Sequence, residues 1–148
     1  MTVFYFAYGS NLDSRQLRER LGAARAVAVA HLPGFTLRCN KVGRDGTAKA
    51  NIDADPDGTV WGLVWELDNE ALSRLDRFEG GYERLPVRVA LGDGRWVDCV
   101  TYASVKTDAA LLPSVEYRDR MIRGAREHGL PPSWIARLEA LPAGDPAE

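Results

Sequence analysis

Three places in the sequence hold groups that could bind an anion or move a proton. The first is Tyr8-Gly9-Ser10-Asn11. A glycine lets the main chain come close to a ligand, and successive N–H groups ahead of a helix can face an anion or a developing oxyanion. The same residue types also make an ordinary strand-to-helix turn, so composition alone leaves both readings open. The second is Glu79, directly after Phe78 and before Gly80-Gly81. At the C-terminal end of a helix its charge meets the unfavourable end of the helix dipole. Burial beside Phe78 would push its pKa further above the roughly 4.3 of a free glutamate. Such a carboxylate suits a general base that must later act as an acid, and a solvent-exposed terminal glutamate is the other reading of the same residue. The third is Tyr117, in the first turn of a predicted helix, where its hydroxyl could enter a site or its ring could pack at the core rim.

Other reactive types are sparse. His31 reads as strand packing, and His128 as a charge partner at a helix C-terminus. A nucleophilic Ser10 would need a nearby base, and the sequence has no G-x-S-x-G elbow. Trp61 and Trp65 have strand spacing and read as core. Cys39 and Cys99 lie sixty positions apart with no C-x-x-C and no adjacent histidine, so neither a metal site nor a disulfide framework is expected.

The elements that must position these residues follow from periodicity and turn chemistry. Val3 to Ala7 is a compact apolar run of β-formers, read as a buried strand that ends at Gly9-Ser10-Asn11. Asp13 caps a helix with Leu17 and Leu21 on one face, and Gly22 closes it. Strands are expected over Ala26 to His31 and Phe35 to Asn40, turning at Pro33-Gly34. Ala48 to Ile52 reads as another, followed by a turn at Asp55-Pro56-Asp57-Gly58 and an interior strand over Val60 to Trp65. Asn69 to Phe78 is a helix ended by Gly80-Gly81, and Val87 to Leu91 with Trp96 to Ala103 form a hairpin across Gly92-Asp93-Gly94. Ser114 caps a helix running to about His128, and Pro131-Pro132-Ser133 starts a last one. Residues 142–148 read as a frayed tail. Strands and helices interleave irregularly, which predicts a single α+β domain over 1–148 with a mixed, barrel-like β-sheet and flanking helices, not a Rossmann fold.

Composition sets the outer limits. The 148 residues are 45% hydrophobic and 27% charged, enough for one globular core. Nineteen Lys and Arg against 21 Asp and Glu give a formal charge of -2, and no basic run marks a nucleic-acid footprint. The longest apolar run is six residues, Val3 to Tyr8, far short of a membrane span. Without a signal-like N-terminus, the expected location is cytoplasmic.

Taken in order, four segments resemble the γ-glutamylcyclotransferases. Tyr5-Phe6-Ala7-Tyr8-Gly9-Ser10-Asn11-Leu12 is similar to the family's substrate-binding signature, and Val60-Trp61-Gly62-Leu63-Val64-Trp65 to its following core strand. Leu75-Asp76-Arg77-Phe78-Glu79-Gly80, with Tyr82 beyond, resembles the segment holding the catalytic glutamate. Pro113-Ser114-Val115-Glu116-Tyr117 and Gly124 to Pro131 resemble the C-terminal helix and its exit. The resemblance implies an enzyme of glutathione metabolism that converts γ-glutamyl amino acids to 5-oxoproline and a free amino acid, with no cofactor and no metal. It implies Glu79 as catalytic acid/base and Tyr8, Gly9, Ser10, Asn11 and Tyr117 as substrate-binding. A homodimer is the family-level expectation; no nucleic acid or membrane partner is expected. One residue, Gly81, links Gly80 to Tyr82, a link closer to the γ-glutamylamine cyclotransferases. A γ-glutamylamine or carrier-bound substrate, and a non-catalytic binding module, therefore stand as alternatives.

Overall fold

The computed structural model describes residues 1–144. Five strands close into a barrel in the order β1-β3-β2-β4-β5, with β1 at Thr2–Ala7, β2 at Arg25–Val42, β3 at Ala48–Asp68, β4 at Glu83–Leu91 and β5 at Trp96–Ala103. The helices are α1 (Ser14–Leu21), α2 (Asn69–Phe78), α3 (Val115–Glu127) and α4 (Pro132–Glu139), and a short 3-10 turn spans Ser10–Leu12. All paired strands run antiparallel except β1 and β5, which meet in parallel at Tyr5 and Val100. The Thr101 hydroxyl donates to the Phe6 carbonyl at 2.7 Å and extends that closing seam. Phe6, Val60, Val64, Trp65 and Val89 are all fully buried, and Trp65 packs edge-on against His128 at the end of α3.

Two expected turns are not turns. Pro33-Gly34 and Asp55-Pro56-Asp57-Gly58 face each other inside one long β2–β3 ladder, which passes from Pro33↔Thr59 to Phe35↔Ala54 across a register shift. The turn residues form a bulge, where the extra β3 residues loop out and the strands bend, and pairing resumes on both sides. The expected four strands are therefore two. The actual reversal is at Gly43–Thr47, where Gly43 N–H donates to Thr47 O at 2.9 Å and the Asp45 carboxylate accepts from the Thr47 hydroxyl at 2.7 Å. Beyond the bulge, residues 35–42 and 48–54 run on as a two-stranded arm, and this arm supplies one wall of the site.

The helices begin where capping chemistry places them. Asp13 accepts from Arg15 N–H at 3.0 Å, Asp68 from Ala71 N–H at 2.7 Å and Ser114 from Tyr117 N–H at 3.1 Å. Gly124 lets α3 press against the 3-10 turn: a Cβ there would lie 2.4 Å from the Leu12 carbonyl carbon. Of the expected tail, Gly144 N–H donates to Pro113 O at 3.0 Å, and residues 145–148 lie outside the described residues. Among the described residues no helix is long and apolar enough to cross a membrane.

Candidate active site

Glu79 is the C-cap of α2, its N–H held by the carbonyls of Leu75 and Asp76. The side chain is 13% exposed. Its burial does not come from Phe78, as expected, because that ring is half exposed and stacks toward the Arg20 guanidinium at 5.1 Å. It comes from the Tyr8–Asn11 loop laid across it. The Asn11 amide donates to Glu79 Oε1 at 3.0 Å, and Arg20 Nη1 lies 3.9 Å from the same oxygen. Burial pushes the Glu79 carboxyl above its ordinary value, while Arg20, the Asn11 amide and Lys41 draw it partly back.

Asn11 is the hub of the loop and is itself 3% exposed. Its amide nitrogen donates to the Tyr5 hydroxyl as well as to Glu79, and its carbonyl accepts from Gln16 and Arg20, each at 3.1 Å. Both donors and both acceptor positions are thus met by protein, which leaves Asn11 only its backbone N–H to offer a ligand. In this turn Leu12 N–H donates to Gly9 O and Asp13 N–H to Ser10 O. The N–H groups of Gly9, Ser10 and Asn11 meet no acceptor among the described residues. Ser10 Oγ accepts from the Gln16 amide at 2.7 Å and has no histidine beside it.

Tyr117 approaches the loop from the first turn of α3. Its oxygen accepts from the Ala50 N–H at 3.0 Å, which leaves its own proton to donate. Tyr82 donates to the carbonyl of the same residue at 2.5 Å, so the two phenols cap the unpaired edge of the β3 arm. Burial raises both phenols well beyond physiological pH and keeps them protonated donors. A Cβ on Gly9 would lie 3.1 Å from the Ala50 Cβ and 3.4 Å from the Tyr117 oxygen, so the loop, arm and helix meet where only glycine fits without displacement.

The open space beside Glu79 is a cavity of about 370 Å³. A recess of about 30 Å³, the size of one water, shares Ser10, Glu79, Tyr82 and Tyr117 with it. The recess is walled largely by tyrosines, whereas the larger cavity carries the charged side chains. Glu79, Ser10 and Tyr117 thus stand on one cavity, while Tyr8, Gly9 and Asn11 line the recess. Three contributors were not among the sequence candidates: Arg20, Lys41 and Tyr82. Arg20 follows Gln16 by one helical turn on the face toward the loop, a spacing that sequence can show. Lys41, one lysine near a strand end, carries no such signal.

The remaining candidates fall outside. His31 packs on Trp61 across the β2–β3 ladder at 4.8 Å between ring centroids. His128 Nε2 lies 3.6 Å from Glu127 Oε1, a charge pair whenever the ring is protonated. Burial lowers its pKa, and the same nitrogen lies 2.8 Å from the Ser14 hydroxyl, which ties the end of α3 to α1. Trp65 is core, fully buried. Cys39 and Cys99 are free thiols, pushed up by burial to about 11 and about 12, and are poor nucleophiles. Among the described residues no group of three or more His, Cys, Asp or Glu is placed to hold a metal ion.

Comparison with known proteins bears on the family of the chain as a whole. The AIG2-like family matches residues 59–138. A human γ-glutamylcyclotransferase is 33% identical over 97% of this chain and 81% of its own length, and a mouse one 31% identical over 95% and 79%. A solved γ-glutamyl cyclotransferase superposes with a TM-score of 0.94 at 30% identity, covering 100% of this chain and 92% of that one. Identity at this level over four-fifths of the human relative, on a backbone that superposes so closely, makes the chain a member of the γ-glutamylcyclotransferase family.

Proposed function

We propose that the protein cyclises γ-glutamyl amino acids, releasing 5-oxoproline and a free amino acid. The α-amine attacks the γ-carbonyl of its own glutamyl group; the new C–N bond closes a five-membered lactam and the old amide C–N bond breaks. In the process the α-ammonium gives up two protons to become the lactam N–H, and the leaving nitrogen gains two to become an ammonium. No water enters and no net proton is released. One group that takes and returns protons therefore suffices, and Glu79 is the carboxylate placed for it. The observation that carries the reading is this buried, upward-shifted carboxylate pinned by Asn11 under a loop with unpaired N–H groups.

The remaining parts have matching tasks. Attack within one molecule removes much of the entropic barrier once the chain is held folded back, an effect worth about 7 kcal/mol or more in well-oriented cases. The N–H groups of Gly9, Ser10 and Asn11 meet the oxyanion, where one well-placed donor is worth about 3 kcal/mol. Tyr117 donates its free proton to the glutamyl head. Neither Ser10, whose hydrogen-bond partner is the Gln16 amide and which has no histidine beside it, nor either raised cysteine has the activation a covalent route requires.

Glu79→Gln tests the assignment. Its kcat on γ-glutamyl-alanine should fall by roughly 10²- to 10⁴-fold, with binding of the substrate by calorimetry changed only a few-fold. A folded Glu79→Gln protein with near-wild-type kcat would remove Glu79 from the mechanism.

A further inference from the structure

The cavity beside Glu79 holds six cationic side chains against two carboxylates, Asp45 and Glu79, in a chain whose overall formal charge is -2. Three of the six are already engaged. Lys49 pairs with Asp45 at 3.2 Å, Arg120 with Glu116 at 3.4 Å and Asp13 at 3.7 Å, and Arg20 stands against Glu79. The other three, Lys41, Arg44 and Arg77, have no carboxylate within 4 Å among the described residues.

These three form a series leading out from Glu79. Lys41 is innermost, 6% exposed, with its ammonium donating to Gly80 O at 2.7 Å and lying 4.8 Å over the Tyr82 ring. A buried ammonium whose polar partner is one carbonyl is costly unless an anion completes it. Arg44, from the tip of the β2–β3 arm, covers Gly80: its Nη2 is 3.0 Å from where a Cβ would stand. Arg77 lies in the last turn of α2 and is exposed at the rim. Both guanidiniums have the fork that fits a carboxylate through two hydrogen bonds.

Possible substrates differ in how many carboxylates they bring. A γ-glutamylamine brings one, the γ-glutamyl derivative of a neutral amino acid brings two, and that of an acidic amino acid brings three. Resting on the cyclotransferase reading above, we propose that the preferred leaving group is an amino acid with a side-chain carboxylate, glutamate or aspartate, taken up by Arg44 and Arg77. Lys41 is then left for the α-carboxylate of the glutamyl head, nearest the reacting carbonyl.

The test compares γ-glutamyl-glutamate with γ-glutamyl-glutamine, which match in shape and differ by one charge. Release of 5-oxoproline gives kcat/KM for each on the same enzyme, so the ratio is insensitive to how much protein is active. At about 10 mM salt, where charges are felt over roughly 30 Å, the glutamate compound should be favoured about tenfold. The ratio should fall to about two or less in the Arg44→Gln/Arg77→Gln double variant, and likewise in wild type at about 1 M salt. A wild-type ratio of one or below, or one that the double variant leaves unchanged, overturns the inference and leaves the cyclotransferase reading standing. No 5-oxoproline from either compound or from γ-glutamyl-alanine overturns both.

Discussion

Burial lifts the Glu79 carboxyl, while Arg20, Asn11 and Lys41 hold it within reach of ionisation, and both effects have measurable signs. The free enzyme must present the carboxylate, so kcat/KM on γ-glutamyl-alanine should rise with pH through a midpoint above the roughly 4.3 of an ordinary glutamate. A rising limb centred at or below about pH 4 would contradict the environment described. Stability moves the other way. With the folded pKa above the unfolded one, the native state binds more protons between the two values, so stability is lost as pH climbs through that window. Glu79→Gln removes the loss, and thermal melts should show the variant gaining on wild type as pH rises from about 4 to 8. A variant that instead loses ground to wild type over that range would mean the carboxylate is favoured by folding. Glu79 and the Tyr8–Asn11 loop were legible because a helix end and a Gly-Ser-Asn turn leave local marks. The occupation of the Asn11 side chain by four protein partners was not, because Tyr5, Gln16, Arg20 and Glu79 meet it only after folding.

At the scale of elements, the site depends on three pieces meeting at Gly9: the loop after β1, the β3 arm at Ala50 and the first turn of α3. Gly124 holds α3 against that loop, and its Cβ would strike the backbone of Leu12 and Asp13 at 2.4 and 2.6 Å. Backbone cannot swing aside as a flexible side chain can. Gly124→Ala should therefore cost about 1–3 kcal/mol in urea unfolding and also lower kcat/KM by moving Tyr117. Gly9→Ala meets a side-chain carbon at 3.1 Å and a phenol oxygen, so it should weaken substrate binding at smaller cost in stability. If Gly9→Ala melts far below Gly124→Ala while binding substrate normally, the loop is a structural joint and not a binding surface. Caps and helix ends were readable in sequence because each is a local hydrogen bond. The β2–β3 arm was misread because Pro33-Gly34 and Asp55-Pro56-Asp57-Gly58 look like reversals one at a time. Only their placement opposite each other makes them a bulge.

Across the whole molecule, charge is distributed against the average. The chain is slightly acidic, yet it gathers Lys41, Arg44 and Arg77 on the cavity beside Glu79 from a strand, an arm tip and a helix end. Composition shows a slightly acidic chain without a basic run and could not locate this cluster, because its members come together only through the barrel. The α+β class and the barrel-like sheet were readable from how strands and helices interleave. Closure through the parallel β1–β5 seam joins residues some 95 positions apart and leaves no local trace. The proposed reaction closes a lactam without water. Its most direct test is the product formed from γ-glutamyl-alanine in ¹⁸O-labelled water, read by mass spectrometry. The expected products are 5-oxoproline free of ¹⁸O and an equal amount of alanine. Glutamate carrying ¹⁸O as the main product would contradict that reaction and make the protein a hydrolase.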